Sequence, residues 1–143
     1  SSYAEEWAKK LAREDTFEHR TNQELGENLY CSWSSNPKAK CPGDKPVDSW
    51  YSEIKKYNFG AEPTNLSSGE SIEFFYRLIS DFDKTNSQIV SPGHFTQVVW
   101  KNSKKLGIGK AKNKNGKTIV VANYEPAGNW IGQYTDNVPS PKE

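Results

Sequence analysis

The chain has 143 residues, a formal net charge of +1, 34% apolar residues and 13% aromatics, among them five Trp. That length suits one domain burying roughly 68–70% of the surface its unfolded chain exposes. The low apolar share calls for a core of few, large side chains, each aromatic burying about 150–250 Å². No apolar run approaches the ~18 residues of a membrane-spanning helix, no signal peptide is visible, and no nucleic-acid partner is expected.

Tyr3, Ala4, Trp7, Ala8, Leu11 and Ala12 recur at three- and four-residue steps, which predicts an amphipathic helix over residues 3–14. Leu25 to Trp33 reads as a strand, with Leu29 and Cys31 on one face and Tyr30 on the other. Cys31 and Cys41 lie on either side of the turn-forming Ser-Ser-Asn-Pro stretch. A disulfide between them would close a short loop and stabilise by up to about 3 kcal/mol; two free thiols are the alternative. Asp44-Lys45-Pro46 is a helix start, since Asp caps free amides and Pro suits the first turn. That helix is expected to run through Val47, Trp50, Tyr51, Ile54 and Tyr57.

Phe59 to Gly69 is rich in Gly, Pro, Asn and Ser and reads as a loop. It carries the glycosylation sequon Asn65-Leu66-Ser67. Sequon and cysteine pair both fit an oxidising, extracellular setting, and a cytosolic one stays open. A third helix is expected next, capped by Ser68 or Ser71, with Ile72, Phe75, Tyr76, Ile79 and Phe82 along one stripe. Leu106–Lys112 and Thr118–Tyr124 read as strands joined at Asn115-Gly116, a hairpin turn in which both central residues need positive φ. Val138 to Glu143 is expected to be a tail, and one α+β domain is the simplest account. Seven lysines and no acid lie between Lys101 and Lys117, whereas residues 5–27 are rich in Glu. Such a lysine run either meets anionic surfaces or keeps a sheet edge from aggregating.

Only two histidines exist, His19 and His94, with Glu27 and Glu53 as notable carboxylates. There is no His-Glu-x-x-His and no Cys-x-x-Cys, so spacing alone does not bring these four together.

The string Gly93-His94-Phe95-Thr96-Gln97-Val98-Val99-Trp100, followed by Lys101-Asn102-Ser103, resembles the first signature of the CAP superfamily. That superfamily comprises cysteine-rich secretory proteins, antigen 5 and pathogenesis-related 1. Ile119-Val120-Val121-Ala122-Asn123-Tyr124-Glu125-Pro126-Ala127-Gly128-Asn129-Trp130 is similar to its second signature. The resemblance implies an α-β-α sandwich with a small antiparallel sheet, a single domain over 1–143, and a cleft lined by His19, His94, Glu27 and Glu53. Two imidazoles and two carboxylates suit a divalent ion such as Zn²⁺, bound by a domain that folds without it. A protonated imidazole cannot ligate, so affinity would fall as pH drops through the histidine range near ~6.5. The competing reading is a hydrogen-bonded polar cluster that ties helix to sheet. Gln97 and Tyr124 would support the cleft.

The resemblance also implies sterol or fatty-acid binding in an apolar crevice near Phe59. The helix expected within 60–92, with Phe74, Phe75 and Tyr76, is an insertion that short family members lack. It either lines such a pocket or is ordinary core-covering structure, the usual meaning of a stripe at helical spacing. Ala122 stands where the family usually has cysteine, as in the Golgi-associated, plant pathogenesis-related type of single-domain member. Secretion is the favoured location and the cytosolic face of Golgi membranes the alternative. The chain begins inside what resembles the family's first helix, so an upstream segment is expected. Ser52 and Ser91 are conceivable nucleophiles beside a histidine, but no Gly-x-Ser-x-Gly elbow appears. The expectation is a non-enzymatic domain that binds lipid, or that recognises a membrane or protein as a monomer or weak homodimer. A pure protein-interaction or immune-defence module is the alternative, and a serine hydrolase the remote one.

Overall fold

The computed structural model describes residues 1–36, 38–60, 62 and 93–141. Helix α1 spans Ser2–Glu14 and buries Ala4, Trp7, Ala8, Leu11 and Ala12, the stripe predicted from spacing. Ser1 Oγ accepts from Ala4 N at 3.3 Å at its start, and Asp15 closes it in the left-handed region at φ 52°. Three strands follow, β1 (Gly26–Trp33), β2 (Lys105–Lys112) and β3 (Lys117–Glu125). They form one antiparallel sheet in the order β1-β3-β2.

Strand alternation sorts the core. Leu29, Ile119 and Val121 pack with the buried face of α1. Val120, Ala122 and Tyr124 point the other way and pack with Trp50 of α2 (Asp44–Tyr51). Helix α3 (Gly93–Val99) lies on that second side, its Val98 against the same cluster. The result is an α+β sandwich with the sheet between helices. α1 approaches β2 closely because Gly109 has no side chain: a Cβ there would run into the backbone of Ala4 and Glu5.

Several expectations are corrected. α2 ends at Tyr51, and a 3₁₀ turn, Ser52–Lys56, carries the chain on to an extended Tyr57. Gly43 rather than Asp44 precedes the first turn, and no side chain caps it. The hairpin loop is three residues, not two. Gly116 alone takes positive φ (85°), Gly116 N bonds Asn113 O at 3.3 Å, and Asn113 N bonds Lys117 O at 2.9 Å. Asn113 organises it, its Oδ1 accepting from Asn115 N and Lys117 N, as fits a turn followed by one left-handed glycine. Val138 is no loose tail. It is 1% exposed and packs with Phe95, Trp100 and Tyr134 behind the short helix α4 (Tyr134–Asn137).

The expected disulfide is absent: Cys31 and Cys41 are free thiols. Cys31 lies with the α1 cluster and Cys41 with the Trp50 cluster, so the sheet separates them. Burial pushes the Cys31 thiol up, with Asp15 adding to the rise and Lys117 opposing it. The third helix over Ile72–Phe82, the Asn65 sequon, Phe74, Phe75, Tyr76 and Ser91 lie outside the described residues. Among the described residues no helix is long and apolar enough to cross a membrane.

Candidate functional site

Glu53, in the 3₁₀ turn after α2, reaches the start of α3. The first amides of a helix have no partner within it and favour a negative charge. Glu53 Oε1 fills that role, accepting from His94 N at 3.0 Å and Phe95 N at 3.2 Å. Its Oε2 holds His94 Nδ1 at 2.9 Å. A carboxylate only accepts, so Nδ1 carries a proton and Nε2 bears the lone pair of the neutral ring. The Trp50 indole stacks beside that imidazole, 6.5 Å between centroids and 19° between planes. Trp50 is itself fixed by its Nε1 donating to Leu29 O at 2.9 Å.

Glu27 builds a second clamp from β1. It is 6% exposed, and such a carboxylate must be satisfied where it lies. Oε1 pairs with His19 Nδ1 at 2.9 Å and accepts from Arg20 N at 3.0 Å. Oε2 accepts from Gln23 Nε2 and Asn123 Nδ2, both at 3.2 Å. Arg20 is held in turn by the Tyr3 ring, 3.9 Å from its guanidinium carbon, and by Glu6.

Asn28 stands between the clamps. Its Nδ2 donates to His94 O at 3.1 Å and to the Tyr124 hydroxyl at 3.2 Å, while Oδ1 is buried without a protein partner. Burial pushes the Tyr124 hydroxyl up to about 12, with the Asn28 contact opposing the rise. Gln97 bonds into the loop after β3, its Oε1 accepting from Gly128 N at 2.9 Å and its Nε2 donating to Ser103 Oγ at 3.0 Å.

All four predicted cleft residues therefore gather at one end of the sheet, but not as a single ligand shell. Glu27 and Asn123 lie on the α1 side of the strands, with Leu29 and Val121. His94 and Glu53 approach from the other side, where Asn28 and Tyr124 point. Among the described residues no group of three or more His, Cys, Asp or Glu is placed to hold a metal ion. Each carboxylate is engaged by an imidazole Nδ1 and by N–H donors. The donor set fits an ion only through ring Nε2 nitrogens, with the carboxylates as their orienters, an arrangement common around metal-bound histidine.

Other candidates are placed elsewhere. Phe59 is half-buried against Tyr57 and Phe95, with ring centroids 4.9 and 6.2 Å away, which makes it part of the third core cluster. Ser52 Oγ donates to Ser49 O at 2.7 Å. Sequence reasoning missed Arg20, Gln23 and Asn28 as parts of the clamps. Gly26-Glu27-Asn28 carries the one readable hint, a strand start with three polar or small residues where an apolar pattern is expected.

The cysteine-rich secretory protein family (CAP) model matches residues 1–124. Golgi-associated plant pathogenesis-related protein 1 of Homo sapiens is 35% identical, over 98% of this chain and 75% of its own. Pathogenesis-related protein 1 of Arabidopsis thaliana is 30% identical, over 93% of this chain and 64% of its own. The crystal structure of NaASP2 with Zn²⁺ superposes with a TM-score of 0.58 at 29% identity, covering 92% of this chain and 61% of that one. The chain thus spans three quarters of the human relative and less than two thirds of the other two.

Proposed function

Because the chain belongs to the cysteine-rich secretory protein (CAP) family, we propose that it is a non-enzymatic binding module whose carboxylate-held imidazoles take a divalent cation such as Zn²⁺. The observation that carries this reading is the pair of Glu–Nδ1 clamps, His94–Glu53 and His19–Glu27, each at 2.9 Å. A clamp of this kind fixes the tautomer that leaves Nε2 as the ligating nitrogen and raises its basicity. NaASP2, a relative of the same fold, has a crystal structure with Zn²⁺. When bound, such an ion supplies open coordination positions to a carboxylate or carbonyl of a partner. Of the two serines weighed as nucleophiles, Ser52 donates its hydroxyl to the Ser49 carbonyl and Ser91 lies outside the described residues; acyl transfer needs a serine within reach of its base.

Calorimetric titration with Zn²⁺ at neutral pH tests the reading. Saturable heat in the native chain that each of His94→Ala and His19→Ala lowers and the double variant abolishes is the expected result. No heat, or unchanged heat in the double variant, overturns it.

A further inference from the structure

The seven lysines between Lys101 and Lys117 do not act as one run. Lys117 is 6% exposed and lies 3.3 Å from Asp15 Oδ1. Lys104 precedes β2, and Lys105 lies on the α1 side of that strand, in the row of Gly109 and Ala111 and beside Glu125. Lys110 and Lys112 are different. They alternate with Gly109 and Ala111, which face α1, and so project from the opposite side of β2. There Lys110 Nζ donates to Cys41 O at 2.7 Å and Lys112 Nζ to Ala39 O at 3.1 Å.

Those two bonds lay the loop 38–43 against β2, and with it the exposed Lys38 and Lys40. A carbonyl takes one of an ammonium's three donors and none of its charge. Strand residues two apart are about 7 Å apart, inside the ~8 Å screening length of physiological salt. The four cations, from segments some seventy positions apart (Lys112 to Ala39 is a separation of 73), present one field. The same row of β2 continues into Leu106 and Ile108, 59% and 49% exposed.

We propose that this face of β2, with the 38–43 loop beside it, docks on an anionic phospholipid bilayer. Lysines are hydrated point charges suited to headgroups rather than to bidentate partners. Exposed Leu and Ile next to them supply the apolar area that inserts at the headgroup–acyl boundary. A soluble acidic peptide would use the charges and leave that area unused. Lys110 and Lys112 pair with Val120 and Thr118, further along the sheet than the Glu27–Asn123 pair at the clamps, and no residue of the clamps belongs to this surface.

Co-sedimentation with vesicles of phosphatidylcholine and phosphatidylserine, against pure phosphatidylcholine, tests it. Binding is expected only with phosphatidylserine and weakens as salt rises. Lys38→Gln with Lys40→Gln, two exposed positions, is expected to lower partitioning about 30-fold, roughly fivefold for each lysine near an anionic surface. Leu106→Ser with Ile108→Ser is expected to weaken binding that survives at high salt. Lys104→Gln with Lys105→Gln, and His94→Ala, are expected to leave it unchanged. Equal binding to both vesicle types, an equal loss in the Lys104/Lys105 variant, or capture of polyglutamate with vesicles ignored would each overturn the proposal.

Discussion

Glu53 does two separable things, and two substitutions tell them apart. Its Oε1 accepts from the amides of His94 and Phe95, and its Oε2 fixes the His94 ring. Glu53→Ala strands both amides at the start of α3, in a side chain environment only 15% exposed. At ~1.5 kcal/mol for each hydrogen bond to a charged group, the loss is about 3 kcal/mol. For a chain of this size that lowers Tm by roughly 10 °C. Glu53→Gln keeps a carbonyl oxygen for the amides but offers an NH₂ to Nδ1. The ring must then accept at Nδ1 and carry its proton on Nε2, the nitrogen an ion needs. Stability should fall by only about 1 kcal/mol, while Zn²⁺ affinity falls ~10–100-fold. Urea unfolding followed by Trp fluorescence gives the first quantity and calorimetric titration the second. Equal destabilisation by Ala and Gln, or native Zn²⁺ affinity in Glu53→Gln, would refute the reasoning.

Glu62 ties its own segment to α4, accepting from the amides of Gly132, Tyr134 and Thr135 and from the Thr135 hydroxyl. Burial works to raise its pKa, but those hydrogen bonds outweigh it and hold the carboxyl below the usual range. Its stabilisation is therefore full above the unfolded value near ~4.3 and lost as pH falls through the folded value. Glu62→Gln should lower Tm at neutral pH, with the gap closing in acid; a gap that persists contradicts the assignment. Gly109→Ala drives a methyl into the α1 backbone at Ala4–Glu5 and should cost about 1–3 kcal/mol. An unchanged urea midpoint would contradict that packing. Alkylation followed by intact mass should show two modified thiols, Cys41 ahead of Cys31, whose burial raises its pKa. A product that resists alkylation until reduced would contradict free cysteines.

Local periodicity made much of the fold readable. Ala4, Trp7, Ala8 and Leu11 announce α1, and the alternation of Leu29, Tyr30 and Cys31 assigns each to its side of the sheet. Turn chemistry was only half readable. Asn115-Gly116 marks the hairpin, but the loop length depends on Asn113, whose side chain closes it from outside the dipeptide. The Cys31–Cys41 spacing invites a bridge because sequence does not show that a whole sheet layer lies between the two thiols. Similarly, the four cleft residues were identifiable through resemblance, yet their division into two clamps is a tertiary fact. It follows from strand alternation, which puts Glu27 and Asn28 on opposite faces, and from an α3 start that needs an acceptor at Glu53. The lysine surface is the same lesson, since Lys38 and Lys40 join Lys110 and Lys112 only through long-range carbonyl contacts.

The measurement that bears most directly on the account is a long-range ¹H–¹⁵N correlation of the imidazoles, in a chain with only two histidines. In the metal-free protein both neutral rings should carry their proton on Nδ1, and Zn²⁺ should move the Nε2 resonances of His19 and His94 while Nδ1–H persists. Protons on Nε2 before metal, or Nε2 signals that Zn²⁺ leaves in place, would contradict it.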